Sequence, residues 1–362
     1  METGKHVAEL SKLLFKRIVF FYFAFIVIVL FLLFLSKAFR VSVKKRNPFE
    51  WLALFIIVFI AIFRFDVGWD YVNYYNYIDN VEILQILRLE PLSQIFCYIA
   101  ILFESPPLLF VLFGLPTYLI LFYTLKRYSV GFVLSLLVYL AFFYLESLTS
   151  IRQTLALSIT FWGFRYILKR SFIKYMLVVA LSAMFHMSAV AAILIYPVYY
   201  LLNLRSLAIM IPVLFLLKEV VFRMLSSYGP YAYYLDKLED FTGGGIVRYV
   251  QIALYFSLLI LGLVKKIDRS QNKLFTLIGI ALLFPFIFGP ALGTRLGMYF
   301  LIYQCILIPS ILSKYSLPYK VIYASCFSLY FLVMIYIGSK NEFKSLYIPY
   351  QFIFNIENPQ FR

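Results

Sequence analysis

The run KRIVFFYFAFIVIVLFLLFLSKAFR, residues 16–40, decides the fold: between two basic flanks lie about 18 residues, 18–35, without one charged side chain. An uncharged apolar stretch of that length reads as a membrane-crossing helix. The small residues Ser36 and Ala38 resemble a cleavage point. The apolar run, however, exceeds the roughly 7–15 residues of a secretory signal core, so we expect it to be kept as a span.

Working outward, similar runs recur at 49–63, 108–125, 130–146, 151–168, 173–185, 187–202, 206–225, 248–264, 274–290, 296–312 and 320–338. The sequence predicts an all-α, polytopic integral membrane protein with about twelve transmembrane helices, plus one re-entrant or interfacial helix at 92–104. That last segment is short and Pro106-Pro107 follow it, which suits a turn back better than a crossing. Composition agrees: 64% hydrophobic, 20% aromatic and 14% charged residues, with a mean hydropathy of +0.90, lie far from a soluble domain. No polar stretch is long enough for a separate soluble domain, so residues 1–362 are expected to form a single transmembrane domain.

The net charge of +16 is carried by short basic clusters beside apolar runs. Such clusters report orientation and contact with anionic membrane lipids, and they do not describe a nucleic-acid groove. If Lys37, Arg40, Lys44, Lys45 and Arg46 face the cytoplasm and 92–104 does not cross, every later basic loop also falls inside. The outer face then receives the loop 64–91, the loop 226–247 and the tail 339–362. Arg152, His186, Arg248 and Arg295 fall at or near the same face. Residues 1–17, with four basic residues against five on the opposite flank, are left unassigned to a side. Three cysteines, Cys97, Cys305 and Cys326, and two histidines, His6 and His186, provide no disulfide framework or zinc ligand set. No nucleotide-binding, hydrolase-elbow or metalloprotease motif occurs, and no internal repeat is visible.

Polar chemistry concentrates at RFDVGWDYVNYYNYID, residues 64–79. If the chain is helical after Gly68, then Asp70, Asn73, Tyr74 and Tyr77 share one face and Tyr71, Tyr75 and Ile78 another. Carboxylates hold sugar hydroxyls and act as general bases, and tyrosine rings stack on pyranoses. The plainer alternative is a tyrosine-rich interfacial belt. Arg152 and Gln153 open an otherwise apolar helix, where an arginine suits bidentate phosphate binding; the alternatives are pairing with Glu146 or snorkelling to the interface. His186 interrupts an apolar run too long for one span, and so marks a turn. It is either a core hydrogen-bonded residue or a phosphate contact or acid-base group. Arg295, in GPALGTRLGMYF, follows glycines that would let backbone N–H groups approach an anion. Those glycines also serve to end and start helices. Glu219 and Arg223, four apart, read as an ion pair.

Five motifs in order, Val67-Gly68-Trp69-Asp70-Tyr71 with Tyr74, Ile151-Arg152-Gln153 with Ala156, Phe185-His186-Met187-Ser188-Ala189, Arg295 with Tyr299-Phe300, and Ile348-Pro349-Tyr350, resemble those of the EpsG family of Wzy-like polysaccharide polymerases. The resemblance implies a multi-pass glycosyltransferase of the bacterial cytoplasmic (inner) membrane. Such an enzyme joins undecaprenyl-pyrophosphate-linked oligosaccharide repeat units at the periplasmic or outer face, without metal or other cofactor. Its product is O-antigen, capsule or exopolysaccharide, and its implied partners are a chain-length regulator and a flippase. On that expectation Asp70, Arg152 and His186 are catalytic, Arg152, Arg295 and Arg64 bind pyrophosphate, and Asp66, Tyr71, Tyr74 and Gln153 contact glycan. The alternatives are a flippase or exporter of the same lipid-linked glycan, which needs cations deep within several helices, and a membrane O-acyltransferase built on His186.

Overall fold

On the first helix, Tyr22, Phe25, Ile26, Val29 and Leu33 recur at helical spacing and are buried, whereas Phe23, Val27, Phe31 and Phe34 are exposed. Both faces are apolar, so the exposed one is lipid-facing surface. This pattern is seen in a computed structural model of the chain, which describes residues 2–39, 47–226, 245–339, 347 and 350–355. The chain is helical almost throughout: α1 Glu2–Ala38, α2 Pro48–Ile62, α3 Tyr71–Asp79, α4 Pro91–Leu102, α5 Pro106–Tyr128, then α6 over Phe132–Thr149 with a π-turn at Leu140–Tyr144. There follow α7 Ile151–Trp162, α8 Phe164–Leu168, α9 Phe172–Ala183, a 3₁₀ segment Met187–Leu194, α10 Ile195–Leu201 and α11 Leu204–Ser226. The series closes with α12 Gly245–Val264, α13 Arg269–Ile287, α14 Pro290–Leu301, α15 Gln304–Leu312 and α16 Leu317–Ser339.

Among the described residues, six helices are long and apolar enough to cross a membrane, or seven if the bent pair α14 and α15 is one span. Four more apolar helices are shorter than a full crossing, and the first part of α11, Leu204–Val213, is also apolar. The all-α membrane class expected from the dozen apolar runs therefore holds. Several of those runs fold as broken or short helices. The 296–312 run divides into α14 and α15 at a 51° bend, marked by the tight turns Tyr303 N–H to Phe300 O and Cys305 N–H to Ile302 O.

Contacts divide the chain into two compact units. The first comprises Met1–Phe122, Leu136–Leu155 and Val321–Arg362; the second comprises Tyr123–Ser135 and Ala156–Lys320. In the first, α1 packs on α2, and a two-residue antiparallel ladder joins β1 (Arg64–Phe65) to β2 (Gln351–Phe352). In the second, α13 is buried along most of its length. Pro285 removes the N–H that would bond Ala281 O, and Gly297 packs against that carbonyl, where a Cβ would stand 3.1 Å away, tighter than most real contacts. Gly293 lies tighter still, its Cβ position 2.4 Å from Phe284 O. Pro309 likewise frees Cys305 O, which accepts the Ser135 hydroxyl at 2.6 Å. At Pro309 the freed carbonyl is thus met by a neighbouring hydroxyl, which makes a proline tolerable inside an apolar helix.

The loop 227–244 and the side chains of Glu219 and Arg223 lie outside the described residues, as do the tail apart from 347 and 350–355, the basic cluster 40–46 and the side chains of 1–19.

Candidate functional site

The stretch 64–79 is built from the end of α2 outward. A helix leaves its last carbonyls without intrahelical partners, and at a membrane boundary each must be met. Here they are met one by one: Phe63 N–H donates to Phe59 O at 3.0 Å, the Tyr350 hydroxyl to Ile60 O, the Arg64 Nη1 to Ala61 O and Ile353 N–H to Phe63 O at 3.0 Å. Arg64 also donates through Nε to Val67 O at 3.0 Å and through Nη2 to Leu148 O at 2.8 Å. Its guanidinium lies 4.9 Å from the Phe110 ring centre and 5.6 Å from that of Tyr71. The arginine is 2% exposed. Its donors therefore cap two helix C-termini, those of α2 and α6, where a cation also complements the helix dipole.

Gly68 makes the second joint. Its φ is +102°, and a Cβ would stand 2.3 Å from Leu148 O, so only glycine fits against the end of α6. Trp69 N–H adds a contact to Thr149 Oγ1 at 3.4 Å. The loop then enters α3, whose buried residues are Tyr71, Tyr74, Tyr75 and Ile78. The two-face expectation is thereby modified: Tyr74, grouped with the polar face, is buried. Asp66, Tyr71 and Gln153, expected to contact glycan, are 1%, 0% and 2% exposed.

Tyr74 is buried against Arg152. The Arg152 Nη1 donates to Glu90 Oε2 at 2.5 Å and its Nε to the Tyr74 hydroxyl at 3.4 Å. Arg152 and Glu90 both remain partly exposed. Burial pushes the Tyr74 phenol up to about 12, so it stays protonated near neutrality and keeps an O–H to donate. Asp70 precedes α3 and is electrostatically coupled to both Tyr74 and Tyr77. Arg152, Glu90, Tyr74, Tyr77 and Asp70 thus form one polar cluster in the first unit. Glu90 was not singled out from sequence. Its only signal was an acid directly before the helix-starting Pro91, a common N-terminal pattern. Glu146, the partner weighed for Arg152, instead accepts from Ser150 Oγ at 2.9 Å.

In the second unit, His186 occupies the expected turn between α9 and the 3₁₀ segment, extended at φ −157° and ψ 121°. Its Nδ1 lies 3.3 Å from Ser188 N and 2.7 Å from Ser188 Oγ, and Ser188 Oγ lies 3.0 Å from the Tyr299 hydroxyl. Arg295 stands four residues before Tyr299 on α14, a spacing that puts both on one face. Helix α14 begins at Pro290, so Arg295 lies in its second turn and not at its N-terminus. Of the nearby glycines, Gly293 and Gly297 serve helix packing.

A multi-pass, all-α membrane protein with a basic-tyrosine-acid cluster in one unit and a His-Ser-Tyr chain in the other is the class these features define. The EpsG family model matches residues 49–352, and the chain belongs to that family of Wzy-like polymerases. No curated protein and no solved structure matches. Membership makes polysaccharide polymerisation in a membrane the general role, with lipid-linked oligosaccharide as the class of substrate.

Proposed function

We propose that the protein polymerises oligosaccharide repeat units carried on undecaprenyl pyrophosphate, at the outer face of the cytoplasmic membrane, and that the Arg152 cluster holds the diphosphate. One observation carries this reading: Arg152 spends Nη1 and Nε on Glu90 and Tyr74, whereas its Nη2 has no partner among the described residues. An oriented, partly exposed guanidinium with donors to spare is suited to a phosphate oxygen.

In the reaction, a hydroxyl of the incoming lipid-linked unit attacks the anomeric carbon of the growing chain. The bond from that carbon to the pyrophosphate oxygen breaks, its electron pair stays on the pyrophosphate, and the hydroxyl proton passes to a base. Arg152 stabilises the charge arriving on the leaving group, a preorganised electrostatic effect. Asp70 takes the base role, and Tyr74, buried against Arg152, holds that guanidinium in place. Separately, in the second unit, His186 and Arg295 are groups of the type that binds a phosphate oxygen. Arg64, Asp66, Tyr71 and Gln153 are too enclosed for substrate contact, and we assign them to holding the loop in shape.

The test uses a cell lacking its own copy of the gene, with surface glycan resolved by length on a gel. Arg152→Ala should leave single repeat units, and Arg152→Lys, which keeps the charge but loses the fork, should shorten chains. Normal long chains from Arg152→Ala would remove this residue from the mechanism.

A further inference from the structure

A backbone amide can only donate, so the Ser188 N–H pointing at His186 Nδ1 makes that nitrogen an acceptor. The neutral ring then carries its proton on Nε2. The Ser188 hydroxyl, 2.7 Å away, must also donate to Nδ1, which leaves Ser188 Oγ to accept from the Tyr299 hydroxyl at 3.0 Å. The amide thus sets the direction of the chain: Tyr299 O–H to Ser188 O–H to His186 Nδ1, with the ring proton on Nε2.

We propose that Ser188 and Tyr299 are positioning residues that hold His186 as the neutral tautomer protonated on Nε2, and that His186 is therefore not the base that deprotonates the acceptor hydroxyl. A ring already protonated on Nε2 has no lone pair there to take a proton. Protonation at Nδ1 would turn a second donor toward the Ser188 amide. The catalytic consequence rests on the polymerase reading; the tautomer does not.

The chain has two histidines, so His6→Gln in the purified full-length protein leaves one imidazole for long-range proton–nitrogen NMR. We expect Nε2 to resonate as a protonated nitrogen and Nδ1 as an unprotonated acceptor. Ser188→Ala should mix the tautomers and Ser188→Thr should restore the single form. A ring protonated on Nδ1, or a spectrum unmoved by Ser188→Ala, overturns the assignment. In cells, Ser188→Ala should lower long-chain glycan about tenfold, with rescue by Ser188→Thr. If the tautomer is as assigned but chain length is unchanged, the fault lies in the catalytic role given to His186.

A separate observation concerns a groove of about 530 Å³ between α11, α12 and α13, lined by Leu204, Ala208, Tyr255, Leu259 and Leu263, with Arg205 at one end. Its lining on α12 runs from Ile252 to Leu263, about 16 Å at 1.5 Å per residue. That is close to half of a hydrocarbon core of about 30 Å, the depth of one leaflet. Leu204 N–H donates to Asn272 Oδ1 at 3.2 Å, bringing the basic end beside Lys273. The Lys273 ammonium stands 4.5 and 4.7 Å from the Tyr199 and Tyr200 ring centres, and the Arg170 guanidinium 5.6 Å from that of Tyr200. Among the described residues, the cation at the far end is Arg248, 5.3 Å from the Phe286 ring centre.

The geometry points to a binding site for one anionic glycerophospholipid, its acyl chain in the groove and its phosphate at Arg205, Lys273 and Arg170. Native mass spectrometry of the purified protein, exposed in turn to phosphatidylglycerol, phosphatidylcholine and a polyprenyl phosphate, tests it. Phosphatidylglycerol should be retained over phosphatidylcholine, with retention falling roughly fivefold for each of Arg205→Gln and Lys273→Gln. Ala208→Phe, which fills the groove, should abolish the preference. Equal retention of the two phospholipids overturns the site, as does preferred retention of polyprenyl phosphate that is lost in Arg248→Gln.

Discussion

Arg64 and Arg152 show how two arginines in one polar neighbourhood come to opposite uses. Both follow apolar stretches and both read from sequence as cations for pyrophosphate. The partners that separate them are distant in the chain: Leu148 O lies 84 residues from Arg64, and Glu90 lies 62 residues from Arg152. No local pattern encodes such pairings, which is why the presence of polar chemistry was legible and its division of labour was not. Their substitutions should therefore differ in kind. Arg64→Met removes donors from three carbonyls, each buried orphan costing about 1–3 kcal/mol, so the purified protein should melt earlier and accumulate poorly in membranes. Glu90→Gln keeps a hydrogen-bond acceptor for Arg152 but loses the charge. Its yield in membranes and melting point should stay close to wild type while glycan chains shorten, as read by immunoblot of membranes beside the glycan gel.

At the scale of elements, hydropathy located nearly every helix but did not show which of them run unbroken. The turn at His186 was legible because 173–202 is too long for one span and too short for two. The bend between α14 and α15 was not, because apolar residues run straight through it and the group that meets Cys305 O is Ser135, 170 positions away. Gly68 belongs to the same class of feature. From sequence it was a helix-start marker, and in the fold it is the point where the 64–79 loop touches the end of α6. Gly68→Ala must place a methyl against Leu148 O at a positive φ, a strain of about 1–3 kcal/mol before the clash is counted. The melting midpoint should fall, and glycan chains should shorten although Arg152 itself is intact. Wild-type behaviour in both measurements would show that the loop tolerates a shifted docking on α6.

Over the whole chain, most family motifs mark joints of the fold: Arg295 lies within α14, but those at 67–71, 151–153 and 185–189 stand at a helix end or a turn, where residue type is tightly constrained. The C-terminal motif is a case in point: Tyr350 bonds Ile60 O across 290 residues, and Gln351–Phe352 pairs with Arg64–Phe65. Replacing residues 347–355 with a Gly/Ser linker of equal length should lower activity severely while leaving the other helices folded, measured by glycan length beside protease resistance of the membrane-embedded protein. That long-range pairing also sets a schedule. A ribosome adding about 5–20 residues per second needs roughly 15–60 s to travel from the first strand to its partner. Until then the loop beside α2 lacks its strand partner, so this joint of the fold is completed late in synthesis.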